Sequence, residues 1–151
     1  MFDFSVLGDR ELSRKLRRLD EKIQKKITRQ ALRKSAKRAK GRIVDNLNSG
    51  TPAIVTGDTA QAFKDAKIKG TTRKGRIRIG VTWPERDALG ITPDDPNYYP
   101  VALEYGHVAG SRPAAPPFPF LRPAIDEHTQ SEYGRIAADL RTGIYKEAAK
   151  K

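Results

Sequence analysis

The sequence predicts an α+β fold with a long basic N-terminal helix, a small antiparallel β-sheet, a C-terminal helix packed on that sheet and an extended proline-rich arm. Three observations carry this prediction. No glycine or proline occurs from Arg10 to Lys40, apolar and polar residues alternate from Arg76 to Trp83, and four prolines and two glycines fall between Gly106 and Pro119. A length of 151 residues predicts a single domain over residues 1–151.

The N-terminal element is predicted as one helix over residues 10–48. Asp9 is a suitable N-cap, Glu11 lies in the first turn where the helix dipole favours negative charge, and Asn48 and Gly50 mark the end. A continuous helix from Arg10 to residue 47 would be about 57 Å long at about 1.5 Å per residue. We therefore expect part of it to extend past its own core.

The apolar residues of this helix fall on two nearly opposite faces. The first half places Leu12, Leu16, Leu19, Ile23 and Ile27 on one face, and the second half places Leu32, Ala36, Ala39, Ile43 and Leu47 on the other. The change of side occurs between Thr28 and Ala31, where no proline or glycine would kink the helix. We expect the two halves to bury against different partners, for example the chain's own sheet and a neighbouring subunit.

A third sector of the same helix is basic. Residues 1–50 hold 15 Lys and Arg against 6 Asp and Glu, whereas residues 51–151 hold 15 against 12. The sector, called here the basic ridge, consists of Lys15, Lys22, Lys26, Arg29, Arg33, Lys37 and Lys40. Such a ridge would face phosphates, an acidic protein surface or water.

Residues 56–105 are predicted as a short helix followed by a β region. The helix follows a break at residues 56–58 and runs through Phe63. Two strands follow, at residues 67–69 and 76–83, joined by a turn at residues 70–75. Strict alternation in the second strand predicts one buried and one exposed face, and Pro84 ends it because proline cannot donate to a ladder. Residues 85–97 are predicted as a loop, and residues 101–105 as either a short strand or a helical turn.

The last third combines the proline-rich arm, residues 106–119, with a helix over residues 120–148. Residues that precede proline favour extended backbone, so we expect the arm to be a ribbon with Phe118 and Phe120 as anchors. Pro123 is acceptable in the first helical turn, where its missing N–H has no acceptor. Leu121, Ile125, Ile136, Leu140 and Ile144 form the apolar stripe of this helix, which Gly134 weakens by about 1 kcal/mol relative to alanine.

Residues for catalysis or metal binding are scarce. No cysteine is present, which excludes disulfides, thiolate zinc sites and thiol nucleophiles. The stretch from Gly70 to Ile77 has the glycine spacing of a P-loop, but Arg76 and Ile77 stand where Lys and Ser or Thr are required, so a hairpin turn is predicted. His107 and His128 are the only histidines and are expected on the arm and on a helix surface. We expect no cofactor, no metal and no enzymatic activity.

Glu104 is the carboxylate that most needs an explanation, because it lies between apolar Leu103 and Tyr105. We predict a salt bridge to an arginine, either Arg122 or one from a neighbouring subunit. The alternative is a general base in a small hydrolase that uses Glu104 and His107.

Four motifs occur in order along the chain: the basic N-terminal helix, Thr-Gly-Asp at residues 56–58, Val-Ala-Leu-Glu-Tyr-Gly at residues 101–106, and Pro-Phe-Leu-Arg-Pro-Ala-Ile-Asp at residues 119–126. This order resembles the tail-completion and head-tail joining (neck) proteins of long-tailed bacteriophages, a group similar to the lambda-type minor tail protein Z. The chain departs from that pattern in the insertion between Gly106 and Phe118 and in its Phe-Pro-Phe step.

The resemblance implies a structural virion protein that joins head and tail at the neck, as a homo-oligomeric ring around the DNA channel. Implied partners are further copies of the chain, portal-side adaptor or stopper proteins, and tail-tube or tail-terminator proteins. Packaged DNA would touch the basic ridge without sequence preference. The implied location is the virion, after synthesis in the host bacterial cytoplasm. No apolar run suits a membrane span or a signal peptide.

The two ends of the arm are the candidate contact surface with a neighbouring subunit. Its residues are Glu104, Tyr105, Gly106, Phe118, Phe120, Leu121, Arg122 and Pro123. A competing hypothesis is a nucleic-acid-binding protein that lays its N-terminal helix on the phosphate backbone. That hypothesis predicts an affinity that falls steeply with salt.

Overall fold

The computed structural model describes residues 10–49, 57–73, 76–92, 99–106 and 116–150. In chain order these form α1 (Arg10–Arg17), α2 (Glu21–Ser49), α3 (Gly57–Asp65), β1 (Ile68–Arg73), β2 (Arg76–Val81), a 3-10 turn (Asp87–Leu89), α4 (Tyr99–Tyr105) and α5 (Leu121–Ala148). The α+β prediction is confirmed: a long helix near the N-terminus, a two-stranded antiparallel sheet, and a C-terminal helix packed against it.

The described residues cluster into two compact units. Unit 1 is built from segments within residues 1–38, 68–80 and 129–151, and unit 2 from segments within residues 39–67 and 81–128. Both long helices contribute to both units, because the division falls after Arg38 in α2 and after His128 in α5.

The single helix predicted over residues 10–48 is interrupted at residues 18–20. Asp20 is the reason, because its carboxylate accepts a hydrogen bond from the backbone N–H of Lys22 at 2.7 Å and so caps α2. The side chain of Gln24 also donates to the carbonyl of Leu19 at 2.6 Å. The helix is then continuous from Glu21 to Ser49, including the stretch where the apolar stripe changes sides. Asp9 and Gly50, the predicted ends, lie outside the described residues.

The core of unit 1 joins the N-terminal helices to α5. Its buried members are Leu12, Ile27, Ala31, Ile136, Leu140 and Ile144, with Leu19, Ile23 and Ala137 packed at the border. The first apolar face of the predicted helix therefore packs on the predicted stripe of α5.

The core of unit 2 covers the second apolar face. Its buried members are Ile43, Leu47, Ala60, Phe63, Phe120 and Ala124. The ring of Phe63 packs edge-on against Trp83 and Phe120, with centroids 5.7 and 5.4 Å apart. The two faces do have different partners, as predicted. The examples differ from what is observed: α5, not the sheet, covers the first face, and α3 with the start of α5, not a neighbouring subunit, covers Ile43 and Leu47 of the second.

The two strands form a hairpin whose register is well defined. The N–H of Thr82 donates to the carbonyl of Lys67 at 3.0 Å, which places Gly70 opposite Ile79. The predicted turn at residues 70–75 begins too early, because β1 continues through it to Arg73. In β2, half-buried and exposed residues alternate from Arg76 to Val81, as predicted, although the strand ends before Trp83. The hairpin interpretation of the glycine spacing is confirmed, and the P-loop alternative is not.

Residues 99–105 adopt the helical alternative, as α4. Gly106 follows with φ of 74°, a left-handed conformation that suits glycine and ends the helix. Within the predicted loop at residues 85–97, a 3-10 turn occupies Asp87–Leu89. Residues 107–115 lie outside the described part of the chain, so the extended arm and the place of His107 stay predictions.

Helix α5 confirms the predicted bounds to within one residue and holds Pro123 in its first turn. One expectation on this helix is wrong: His128 is 6% exposed and not a surface residue. It follows buried Ala124 by four residues and so shares its inward face. None of the described helices combines the length and apolar character that crossing a bilayer requires.

Candidate functional site

The candidate site in unit 2 is built around the carboxylate of Glu104, which is 0% exposed. Its Oε2 accepts hydrogen bonds from the backbone N–H groups of Phe120 at 2.9 Å and Leu121 at 2.8 Å. Its Oε1 accepts one from the N–H of Arg122 at 3.1 Å. A side chain from α4 therefore caps the N-terminus of α5.

This cap accounts for every free backbone donor at the start of α5. An α-helix begins with four N–H groups that have no partner within the helix. Here three of them, from Phe120 to Arg122, bind Glu104, and the fourth position is Pro123, which has no N–H. The negative charge also lies at the positive end of the helix dipole. The contact unites the two motifs that carry the resemblance.

The predicted salt bridge is present as well. The Nε of Arg122 lies 3.3 Å from Oε1 of Glu104, so Arg122 of the same chain is the partner. Its side chain is 60% exposed, and a pair with an exposed member contributes at most about 1 kcal/mol. The Arg122 guanidinium also lies 5.2 Å from the centroid of the Tyr105 ring. Glu104 thus caps α5 with four hydrogen bonds, and His107, its partner in the general-base alternative, lies outside the described residues.

The segment that begins after α4 at Gly106 is held at its other end by α4 and α2. The N–H of Phe118 donates to the carbonyl of Leu103 at 2.7 Å, and the side chain of Asn46 donates to the carbonyl of Phe120 at 3.1 Å. Phe120 is fully buried, and Phe118 packs at the border of the same core. Gly106 and Phe118, the two ends of this segment, therefore both lie beside α4.

The eight predicted interface residues thus come together but differ in exposure. Glu104 and Phe120 are buried and serve the fold of this chain. Tyr105 is 61% exposed beside the Arg122 guanidinium, and Val101, one helical turn before it, is 43% exposed. Val101 was not predicted, although its spacing of four residues from Tyr105 places both on one face of α4.

Four members of the basic ridge already have partners. Lys15 pairs with Glu11 at 2.7 Å, and Lys26 pairs with Glu147 at 3.3 Å. Arg29 donates to the hydroxyl of Thr72 at 2.9 Å, and Lys40 donates to the carbonyls of Lys64 and Ala66 at 2.7 and 3.2 Å. The side chains of the other three members, Lys22, Arg33 and Lys37, are exposed and have no partner among the described residues.

A further set of basic residues on α2, absent from the predicted ridge, pairs with acids of α5. Arg38 donates to both oxygens of buried Glu132, the shortest contact being 2.6 Å, and reaches Asp139 at 3.1 Å. Lys34 binds Asp139 at 2.7 Å. Hydrogen bonding to Glu132 raises the pKa of Arg38. Burial opposes ionisation of Asp139, but hydrogen bonds from Lys34 and Arg38 prevail and lower its pKa.

Sequence reasoning missed this set because the pairing depends on how α2 and α5 pack. The seven-residue spacing of Glu132 and Asp139 places both acids on one face of a helix, and that is the signal that was available. Part of the positive charge of α2 therefore serves the fold of unit 1.

The described residues contain no group of three His, Asp or Glu side chains that could hold a metal ion. A cavity of about 270 Å³ in unit 1 is lined by Glu11, Leu12, Lys15, Arg141, Ile144 and Tyr145. A second, of about 150 Å³ in unit 2, lies beside Trp83. Neither is lined by Glu104 or by a histidine.

Comparison with known proteins identifies no relative: no protein-family model, no curated protein and no solved structure matches this chain. An assignment of function therefore depends on the motifs and contacts described above.

Proposed function

We propose that this chain is a structural virion protein of a tailed phage, acting in tail completion and head-tail joining at the neck as a homo-oligomeric ring around the DNA channel. The proposal is for a non-enzymatic protein without a cofactor. Its partners would be copies of itself, portal-side adaptor or stopper proteins, and tail-tube or tail-terminator proteins.

The contact between Glu104 and the start of α5 is the observation that supports the proposal most. The resemblance depends mainly on two short motifs, at residues 101–106 and 119–126. The Glu of the first binds the backbone of the Phe-Leu-Arg step in the second. The two motifs therefore form one structural unit, as expected if they occur together for a common reason.

The exposed side chains beside this contact would supply the surface for a neighbouring copy. This surface combines an aliphatic and an aromatic side chain of α4, Val101 and Tyr105, with the guanidinium group of Arg122 of α5. Tyr and Arg are enriched among the residues that dominate binding energy at protein interfaces. The buried cap beneath them would hold the surface in a fixed shape.

The proposed place in the virion also gives the net charge of +12 a role. Copies arranged around a channel would repeat the unpaired cations Lys22, Arg33 and Lys37. Such a lining would reduce electrostatic repulsion between successive segments of passing DNA.

Deletion of the gene from the phage that carries it is the direct test. We expect filled heads and separate tails to accumulate without joining. Cryo-electron microscopy of wild-type particles should place the protein between the portal-side proteins and the tail tube. Normal joined particles from the deletion strain, or density for the protein elsewhere in the virion, would refute the proposal.

A matched pair of tyrosine variants tests the proposed interface. In complementation of the deletion strain, Tyr105→Ala should yield few joined particles, although the purified variant keeps the helical content of the wild type. Tyr133→Ala removes another exposed tyrosine, at 46% exposure, outside the site and should complement normally. Equal complementation by the two variants would contradict the assignment of Tyr105 to the interface.

The competing hypothesis, nucleic-acid binding through the N-terminal helix, has weaker support. Four of the seven ridge cations already bind groups of the same chain, and only Lys22, Arg33 and Lys37 remain unpaired among the described residues.

A further inference from the structure

The β-hairpin carries a concentration of charge that the proposed function does not use. Its strands and the residues next to them contain six cations, Lys67, Lys69, Arg73, Lys74, Arg76 and Arg78. No acidic residue occurs between Asp65 and Glu85. Helix α2 has ten Lys and Arg and no acid between Glu21 and Asp45, but several of its cations bind acids or carbonyl groups of the same chain.

The strand register sorts these residues onto two faces. With Gly70 opposite Ile79, Arg73 lies directly opposite Arg76, and Thr71 lies opposite Arg78. Because side chains alternate along a strand, one face carries Lys69, Thr71, Arg73, Arg76 and Arg78, here named the outer hairpin face. The other face carries the half-buried Ile77 and Ile79 and is the more buried of the two.

The cations of the outer hairpin face are available for a ligand. All four side chains are exposed, and none of them has a hydrogen bond or ion pair with another described residue. Thr72, on the inner face, accepts the hydrogen bond from Arg29 and so ties the hairpin to α2. The outer face is therefore presented by a strand pair that is anchored from behind.

The arrangement is unfavourable for the hairpin itself. Like charges directly opposite each other on paired strands are destabilising, and Arg73 and Arg76 occupy such a pair. Lysines on an edge strand do protect a sheet from unwanted pairing. That protection requires neither charge on both strands nor the absence of an opposite charge. A polyanion on this face would relieve the repulsion.

We propose that the outer hairpin face binds the phosphate backbone of duplex DNA without sequence preference. The major groove of DNA, about 12 Å wide, admits a two-stranded β-ribbon. Alternate residues of a strand are about 6.7 Å apart. The distance from Arg76 to Arg78 therefore corresponds to two base-pair steps of about 3.4 Å each along the axis of the duplex.

The chemistry of the face favours duplex DNA over other anionic partners. A protein interface has an apolar centre depleted of charge, and the outer hairpin face has no apolar side chain. Single-stranded nucleic acid binds through aromatic side chains on which bases stack, and this face has no aromatic residue either. A ladder of cations with one hydroxyl fits a regular array of phosphates.

Fluorescence anisotropy with the full chain and a labelled duplex of about 20 base pairs tests the proposal, with salt varied from about 50 to 200 mM. The hairpin variant combines Arg73→Gln, Arg76→Gln and Arg78→Gln. The matched control combines Arg17→Gln, Arg18→Gln and Lys146→Gln, which removes the same charge from exposed side chains outside the basic ridge that have no partner among the described residues. Far-UV circular dichroism verifies that each variant is folded.

The hairpin variant should bind the duplex roughly tenfold or more weakly at 50 mM salt, and its slope of log affinity against log salt should fall by up to about 2.7. The control variant should stay close to the wild type. A variant with Arg→Lys at the same three hairpin positions keeps the charge and should retain the slope. Equal losses in the hairpin and control variants, no loss in the hairpin variant, or no duplex binding by the wild type would each overturn the proposal. So would tighter binding to polyglutamate or to a single strand of equal length.

A footprint on the wild-type chain covers the case in which the hairpin variant does not fold. Acetylation of lysines, quantified by mass spectrometry with and without the duplex, should show Lys69 protected and Lys146 unchanged. The reverse pattern would place the DNA away from the hairpin and refute the proposal.

This inference does not depend on the proposed function. Duplex binding is measured on the isolated chain, whereas the neck assignment is tested by the deletion strain. If one of the two experiments contradicts its proposal, the other proposal is unaffected.

Discussion

Gly143 of α5 lies directly against Ile27 of α2, and a Cβ at position 143 would be 2.7 Å from Cγ2 of Ile27. Real Cβ atoms do not approach other atoms so closely. Ile27 is 2% exposed and lies among the side chains of the unit 1 core. The absence of a side chain at residue 143 thus allows the two helices to approach each other.

Gly143→Ala should therefore lower the free energy of unfolding by about 1 to 3 kcal/mol, because overpacking a filled core forces strain. Gly134→Ala is the matched control, since a Cβ there meets nothing within 4 Å. It should stabilise the protein by about 0.5 to 1 kcal/mol through helix propensity. Urea unfolding followed by circular dichroism measures both. Changes of the same sign would contradict the packing argument.

The cap of α5 predicts a different ranking of two neighbouring residues. Glu104→Gln should destabilise by about 1 to 3 kcal/mol, because an amide cannot accept at both positions and leaves a buried N–H unpaired. Arg122→Gln, which removes only the exposed partner of the salt bridge, should cost less than about 1 kcal/mol. Urea unfolding of the two variants measures both changes in the free energy of unfolding. A larger loss for Arg122→Gln than for Glu104→Gln would show that the ion pair, not the cap, is the dominant interaction.

The buried acid of the Arg38 group should also matter for stability. Glu132→Gln removes a fully buried charge that faces Arg38 and should lower the free energy of unfolding by about 1 to 3 kcal/mol. This loss is smaller than for a fully buried ion pair, because Arg38 is partly exposed. Glu85→Gln breaks the exposed pair with Lys67 and should change stability by less than about 0.5 kcal/mol. Thermal unfolding of both variants beside the wild type provides the measurement, and equal melting temperatures would count against a structural role for the buried pair.

The lowered pKa of Asp139 predicts how stability depends on pH. A carboxyl whose pKa is lower in the folded state stabilises the protein above its unfolded pKa of about 3.9. This stabilisation is lost as pH falls through the lowered folded value. Asp139→Asn should thus be less stable than the wild type by a constant amount between pH 7 and 5, and the difference should shrink below about pH 4. Asp45→Asn is the control, and a difference for Asp139→Asn that does not depend on pH would exclude the charge as its cause.

Local patterns in the sequence were sufficient for much of the fold. Side-chain periodicity predicts the alternation in β2. The unpaired backbone donors of a helix start explain the place of Pro123 and the beginning of α5. Both effects act within a few residues of the chain. The break at residues 18–20 was missed, although its cause is equally local. Asp20 followed by Glu21 is a helix start that can be recognised without a glycine or proline before it.

What the tertiary structure alone decided are the pairings between residues far apart in the chain. The sequence marked Glu104 as a carboxylate in need of a partner and proposed Arg122, but packing of α4 against α5 was needed to turn it into a helix cap. The burial of His128, the ion pairs of Arg38 and the partners of the second apolar face of α2 depend on packing in the same way. A periodic pattern shows which face of an element is buried, whereas the identity of what covers it is a property of the assembled fold.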